Sequence, residues 1–183
     1  MRLFLAVDVD ERTRAQIAAI SASLREAIDK AVKATWVHPD RMHLTLGFFG
    51  EADAALQQRI TASLADPIPE GPFDLSFDGL GLFPERGSPR VLWLGIRRGL
   101  DELRRVQVAL QARLQTPAAR EAFSPHLTLA RLRERVPRAR LANTGEIAAS
   151  AGPTRIDRVT LYESRLSPKG PAYVRVAEAP LQT

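Results

Sequence analysis

The chain has 183 residues, with 26 Lys plus Arg against 21 Asp plus Glu and a formal net charge of +5. A hydrophobic fraction of 45% with 26% charged residues is ordinary globular composition and excludes a wholly disordered chain. The absence of cysteine excludes a disulfide framework, a thiolate zinc site, an iron–sulfur cluster and a cysteine nucleophile.

The first apolar run is too short for a signal peptide and soon reaches Asp8 and Asp10. No stretch approaches the length of a membrane span. We therefore expect a cytoplasmic protein that does not associate with a membrane.

The charge is unevenly distributed along the chain. Residues 1–90 carry 10 basic and 13 acidic side chains, whereas residues 91–183 carry 16 and 8. Nearly all the cations are arginine, whose planar guanidinium binds phosphate through two parallel hydrogen bonds. A phosphate-bearing partner would explain this excess, but composition alone favours a bias towards arginine codons.

Hydrophobic periodicity predicts the elements of the first half in chain order. A buried strand over Leu3–Val7 precedes a helix that Asp10 caps. An extended stretch begins at Trp36, and a second buried strand covers Met42–Phe49. The remaining elements of this half are a helix over 51–65 and strands over 73–83 and 90–96.

A similar order follows in the second half. A helix carries a stripe of five apolar residues on one face, namely Leu100, Leu103, Val106, Leu110 and Leu114. A strand covers Pro125–Leu132, and a charged, helical connection extends to about residue 150. Strands over 156–162 and 172–177 complete the prediction.

Two landmarks recur at nearly the same offset. His43-Leu-Thr-Leu recurs as His126-Leu-Thr-Leu after 83 residues, and Pro84 recurs as Pro168 after 84 residues, each between a leucine and a glycine. Such a repeat predicts an internal duplication, with two similar α+β lobes facing each other. We expect one bilobed unit over residues 1–183 rather than separable domains.

Each repeat places an imidazole and a hydroxyl on one face of a strand, because side chains alternate between faces. His43 and Thr45 share a face of the first strand, and His126 and Thr128 share a face of the second. One histidine can be neutral while the other is protonated, as acid–base catalysis requires. Threonine hydroxyls can donate to phosphate oxygens.

Arg131 follows the second motif and could stabilise anionic charge. Strict alternation from His126 aims it away from the cleft, so a bulge or the end of the strand must redirect it. Phe48 is a candidate for base stacking, although core packing explains at least one of Phe48 and Phe49. Arginines 131, 133, 135, 138 and 140 either follow an RNA backbone or form a solvated surface.

Other interpretations of the histidines are weaker. A single histidine on a strand is more often a satisfied structural residue, but a duplicated His-x-Thr pair favours catalysis. Zinc needs three or four close ligands, and neither motif has another ligand at suitable spacing, so we expect no metal. His38 has no counterpart in the second half, and we interpret it as a loop residue.

The flanks of both motifs complete a known pattern. The matching segments are Arg2–Val7, Trp36, Met42–Gly50, Pro84, Arg90–Trp93, Pro125–Arg131 and Leu161–Leu166. Together they resemble the 2H phosphoesterase superfamily, and most closely its LigT or ThpR branch, the RNA 2′,3′-cyclic phosphodiesterases. The resemblance implies a bilobed α+β fold with pseudo-twofold symmetry, an antiparallel sheet in each lobe, outer helices and a central cleft.

The resemblance also implies roles for individual residues. His43 would be the proton donor and His126 the proton acceptor, while Thr45, Thr128 and Arg131 would bind the phosphate. The reaction opens the 2′,3′-cyclic phosphate of an RNA end to a 2′-phosphomonoester, and it can run in reverse as 2′–5′ ligation. We expect a monomer that needs no metal or cofactor and acts on RNA ends, with tRNA halves as candidate substrates.

Two alternatives stay open at this stage. One is a related enzyme that acts on small cyclic nucleotides or 2′–5′ oligonucleotides. The other is a non-catalytic module that binds RNA ends, in which the arginines matter and the histidines only form hydrogen bonds.

Overall fold

The structure, a computed structural model, describes residues 1–28, 30, 32–115, 123–166 and 171–182. Its strands are β1 Arg2–Asp8, β2 Ala34–Trp36, β3 His43–Glu51, β4 Phe73–Phe83, β5 Val91–Arg98, β6 Leu127–Leu132, β7 Ser150–Ile156, β8 Arg158–Arg165 and β9 Ala172–Pro180. Its α-helices are α1 Glu11–Ala27, α2 Ala54–Ser63 and α3 Leu100–Leu114. Two 3₁₀ segments cover Pro39–Arg41 and Arg138–Glu146.

The described strands form two antiparallel sheets, which confirms the predicted α+β class. One sheet has the order β3-β1-β8-β9 and the other β2-β6-β5-β4-β7. Each sheet contains strands from both halves of the chain, so the halves interleave more than the repeat alone indicates. One apolar cluster joins the two sheets, with Leu5 and Leu44 from the first and Leu94 and Leu127 from the second.

The helix α1 begins where the sequence predicts it. The Asp10 carboxylate accepts a hydrogen bond from the backbone N–H of Thr13 at 2.7 Å, which satisfies one open donor of the first turn. Burial opposes ionisation of this carboxyl, but its hydrogen bonds with Thr13 lower the pKa of Asp10 overall. Contacts with β7 hold α1 against the five-stranded sheet, including a 2.8 Å hydrogen bond from the Gly152 N–H to Gln16.

Several predicted boundaries were wrong. The strand β7 was not predicted, because Gly152-Pro153 suggests a loop; proline is tolerated there since β7 lies at the edge of its sheet. The helix predicted over 51–65 is shorter, because β3 continues to Glu51 and Asp53 caps α2. The connection predicted as helical is a 3₁₀ segment.

The repeated turn at Pro168 and Gly170 lies outside the described residues. Among the described helices, none is long and apolar enough to cross a membrane.

Candidate active site

Strands from both sheets bring the two His-x-Thr motifs to one cleft. His43 and Thr45 lie on β3, Thr128 lies on β6, and His126 immediately precedes β6. All four line a cavity of about 540 Å³. The sequence-predicted residues Phe48 and Arg131 line the same cavity, so the structure places the whole predicted set together.

The two imidazoles have the same local hydrogen bond. Nδ1 of His43 lies 2.8 Å from the carbonyl oxygen of Arg41, and Nδ1 of His126 lies 2.8 Å from that of Ser124. A carbonyl oxygen only accepts, so each Nδ1 is protonated and donates a hydrogen bond to that oxygen. This leaves Nε2 of both rings as the nitrogen available for proton transfer.

A β-bulge redirects Arg131 towards the cleft. Trp93 on β5 pairs with Thr128, whereas the preceding Leu92 pairs with Ala130, so Leu129 is an extra residue on β6. An extra residue reverses the alternation beyond it. Leu129 and Ala130 are therefore both buried, and Arg131 is exposed in the cleft. The bulge that the sequence required is present.

A matching bulge redirects Phe48. Ala6 on β1 pairs with Thr45, whereas Leu5 pairs with Gly47, which makes Leu46 the extra residue on β3. Phe48 thereby lines the cleft with 66% of its surface exposed. Phe49 packs against the core instead.

Aromatic side chains surround His43. Phe4 stacks on its imidazole with ring centroids 4.8 Å apart, and Tyr173 meets it edge-on at 5.2 Å. Burial lowers the pKa of His43, while its hydrogen bond to the Arg41 carbonyl and the nearby Asp8 carboxylate act in the opposite direction. The aromatic face of Phe4 also favours the protonated ring, because it attracts cations.

His126 has different aromatic neighbours. Phe83 contacts it edge-on at 4.9 Å, and Trp93 lies tilted at 6.0 Å. The two rings stack on each other at 4.9 Å, and the indole of Trp93 covers Gly81, where a Cβ atom would lie 2.0 Å from the indole ring. Gly81 therefore permits the close approach that places Trp93 beside the catalytic candidate.

Some cleft residues were missed by sequence reasoning. Tyr173, Phe123, Ser124 and Arg41 line the cavity. Burial raises the pKa of Tyr173, and the positive charges of Arg41 and Arg131 act in the opposite direction. Ser124 and Arg41 hold the two imidazoles through backbone carbonyls, which any residue type supplies, so these two contacts left no signal in the sequence.

The arginine run has mixed uses. The guanidinium of Arg138 donates to the carbonyl oxygens of Gly87, at 3.2 Å, and Pro84, and thereby fixes the β4–β5 turn. Arg133 donates to the Thr35 hydroxyl at 2.7 Å. Arg131 is the member of the run that lines the cleft. No group of three His, Cys, Asp or Glu side chains that could hold a metal occurs among the described residues.

Comparisons with known proteins agree with this geometry. The sequence profile described as LigT like Phosphoesterase matches residues 7–93 and again residues 95–173, so each match contains one His-x-Thr motif. An RNA 2′,3′-cyclic phosphodiesterase of Archaeoglobus fulgidus is 35% identical over 175 residues, covering 94% of this chain and 96% of the relative. One of Methanothermobacter thermautotrophicus is 35% identical over 179 residues, covering 94% and 95%.

A solved structure extends the similarity to the fold. E. coli LigT complexed with 3′-AMP superposes with a TM-score of 0.76 at 26% identity, covering 100% of this chain and 98% of that protein. The similarity therefore includes both sheets and the cleft between the two motifs.

Proposed function

The chain belongs to the LigT-like phosphoesterases and is an RNA 2′,3′-cyclic phosphodiesterase, and we propose that His43 and His126 perform its reaction by acid–base catalysis without a metal ion. The single observation that carries this proposal is the convergence of two His-x-Thr pairs on one cleft, each with the same Nδ1–carbonyl hydrogen bond. The E. coli relative holds 3′-AMP, a nucleotide phosphorylated on its ribose, which supports a ribonucleotide end as the ligand.

In the proposed reaction, water attacks the phosphorus of the cyclic ester in line with the departing 3′ oxygen. Nε2 of neutral His126 takes a proton from the water, and Nε2–H of protonated His43 donates a proton to the 3′ oxygen. The bond between phosphorus and the 3′ oxygen breaks, and the new bond to the water oxygen leaves a 2′-phosphomonoester. Solvent then returns both histidines to their starting protonation states.

Three further side chains are proposed to bind the phosphate. The hydroxyls of Thr45 and Thr128 donate to the non-bridging oxygens from opposite sides of the cleft. The Arg131 guanidinium stabilises the charge that grows on these oxygens in the transition state. Phe48 is proposed to stack on the terminal base, because its ring is exposed in the cleft.

Substrate binding also resolves a conflict at His43. Burial lowers the pKa of His43 in the free protein, which opposes the protonated state that a proton donor needs. A bound phosphodiester carries a negative charge, and an opposite charge at close range favours the imidazolium. The substrate itself is therefore proposed to bring His43 into the donor state.

The same cleft supports 2′–5′ ligation, in which the 5′-hydroxyl of a second strand takes the place of water. Nε2 of His126 then takes the proton of the attacking hydroxyl, and His43 protonates the departing 3′ oxygen, which leaves a 2′–5′ phosphodiester. RNA ends with a cyclic phosphate, tRNA halves among them, are the proposed substrates. One apolar cluster joins both sheets, which supports a single unit over residues 1–183, and this unit is proposed to act as a monomer.

Alanine substitution of each histidine tests the proposal. His43→Ala and His126→Ala are each expected to lower kcat on a cyclic-phosphate-ended RNA by at least about 100-fold, since general acid–base catalysis contributes that much or more. EDTA is expected to leave wild-type turnover unchanged.

His38→Ala is the matched control, because His38 lies outside the cleft and caps the Pro39–Arg41 segment. It should retain wild-type turnover. Full activity in either cleft variant, or loss of activity with EDTA that zinc restores, would refute the two-histidine mechanism.

A further inference from the structure

Several exposed arginines of the described chain pair with carboxylates, whereas the cations beside Arg131 do not. Arg97 pairs with Asp78 at 3.8 Å, and Arg155 pairs with Asp74 at 3.2 Å. Within the described part of the chain, no carboxylate pairs with Lys33, Arg131 or Arg133, and all three are exposed. Their charge is therefore not neutralised within the protein.

The register of β2 and β6 places these three cations on one face. Thr35 stands opposite Arg131 in the ladder, so their side chains lie on the same side of the sheet. Arg133 donates to the Thr35 hydroxyl, which puts its guanidinium on that side as well. The backbone N–H of Arg133 donates to the Lys33 carbonyl at 2.9 Å, so Lys33 stands opposite Arg133 as the ladder continues. Because Arg131 lines the cleft, the face leads out of it.

The arrangement of Lys33 opposite Arg133 is unfavourable without an anion. Like charges directly across a sheet destabilise it. The only described partner of the Arg133 guanidinium is a neutral hydroxyl, which leaves the repulsion uncompensated. A phosphate bound between the two side chains would remove it.

The equivalent path on the other sheet carries no such charge. Phe48 occupies the position after its bulge that Arg131 occupies on β6, and Gly50 and Glu51 follow. Glu51 pairs with Arg2 at 2.8 Å and with the amino terminus at 3.4 Å, so the cations at this end of β3 have an acidic partner. The two paths therefore differ: an aromatic ring stands at the position that matches Arg131, and a paired carboxylate follows it after a second register shift at Phe49.

We propose that the exposed face of β2 and β6, formed by Lys33, Arg131 and Arg133, binds the phosphodiester backbone of single-stranded RNA as it leaves the cleft. The inference deepens the proposed function and depends on it for the terminal phosphate. The separate hollow that Arg135 and Arg140 line is not part of this face, because Glu134 lines it too.

The backbone bound there has two possible sources with the same chemistry. It belongs either to the RNA whose end is opened or to the 5′-hydroxyl strand that is joined to it in ligation. Lys33→Ala/Arg133→Ala is the test variant, since neither residue lines the cleft. Arg97→Ala/Arg155→Ala is the matched control, because it removes two exposed arginines that are already neutralised.

The first readout is the Kd of a fluorescent 12-nucleotide RNA that ends in a 2′-phosphate, measured by anisotropy at several salt concentrations. We expect the Kd of the test variant to rise about tenfold at low salt, because the loss of each cation should weaken binding about three- to fivefold. The slope of log Kd against log salt should fall by about 0.7 for each cation removed. The control should match wild type.

The second readout is kcat/KM on three reactions. We expect hydrolysis of 2′,3′-cyclic AMP to stay within about twofold of wild type, because a mononucleotide does not reach the face. A fall in hydrolysis of a 12-nucleotide cyclic-phosphate RNA identifies the substrate's own chain as the ligand. A fall confined to joining with a 5′-hydroxyl RNA identifies the second strand.

Three outcomes would overturn the inference: an unchanged Kd and salt slope, an equal loss in the control, or an equal loss on cyclic AMP. The single variant Arg133→Lys should keep the wild-type salt slope, since a lysine keeps the charge. The binding readout needs no turnover. RNA binding along this face without hydrolysis of any cyclic phosphate would therefore refute the proposed function and leave the inference intact.

Discussion

His43 shows how one residue reflects several opposed electrostatic effects. Burial lowers its pKa, whereas the Asp8 carboxylate raises it. Asp8 stands opposite His43 where β1 pairs with β3, and it accepts a hydrogen bond from the Tyr162 hydroxyl at 2.8 Å. The pH dependence of turnover should report this balance, because only protonated His43 can act as the donor.

Asp8→Asn should move only one side of the pH profile. The substitution removes the negative charge that favours the imidazolium, so the pKa of His43 falls further. As the proton donor, His43 loses activity when pH rises through its pKa, and the alkaline limb of kcat/KM should move down by about half a pH unit. The measurement is kcat/KM on a cyclic-phosphate RNA across the pH range.

The direction of the shift distinguishes the two possible roles of His43. If the acidic limb moves instead, His43 is the proton acceptor and the proposed roles are reversed. Asp74→Asn is the control, because Asp74 pairs with Arg155 and does not act on His43. It should leave both limbs in place.

At the scale of elements, two bulges determine which side chains enter the cleft. The extra residues Leu46 and Leu129 lie at matching places in β3 and β6. Each reverses the alternation, so the residue two positions later turns into the cleft. The asymmetry between Phe48 and Arg131 at these positions would let a pseudo-symmetric cleft distinguish a base from a phosphate.

Phe48→Ala should weaken substrate binding without affecting stability. Stacking contributes about 1–3 kcal/mol for each base, so KM for a cyclic-phosphate RNA should rise about tenfold while kcat changes little. The melting temperature should not change, because the ring is 66% exposed and adds little to the core. Phe48→Tyr should preserve the wild-type KM.

The control substrate is a ribose 2′,3′-cyclic phosphate that lacks a base, on which Phe48→Ala and wild type should have the same KM. An equal rise in KM on this substrate would argue against stacking. Phe49→Ala should instead lower the melting temperature, since Phe49 packs against the core.

These elements also show what sequence could and could not predict. Alternation placed His43 with Thr45 and His126 with Thr128 correctly, because in each case both residues come before the bulge. It could not place Arg131, since a bulge leaves no signature in the letters Leu-Ala-Arg. The sequence indicates that a bulge is required if Arg131 is to reach the cleft, but only the pairing of β5 with β6 shows where the bulge lies.

At the scale of the whole molecule, the repeat predicted two similar lobes and a shared cleft. It did not predict that each sheet takes strands from both halves, because pairing between distant strands depends on contacts that local periodicity does not encode. Tyr173 was missed for this reason: β9 joins the sheet of β1 and β3 only through β8, and that brings Tyr173 beside His43.

The central claim is that the cleft opens a 2′,3′-cyclic phosphate with His43 as the donor to the 3′ oxygen. The most direct measurement is phosphorus NMR of the product after incubation with an RNA that ends in a 2′,3′-cyclic phosphate. We expect wild type to form a 2′-phosphomonoester as the single product. Neither His43→Ala nor His126→Ala should form it at a comparable rate. A 3′-phosphomonoester would contradict the claim, because His43 would then have protonated the 2′ oxygen.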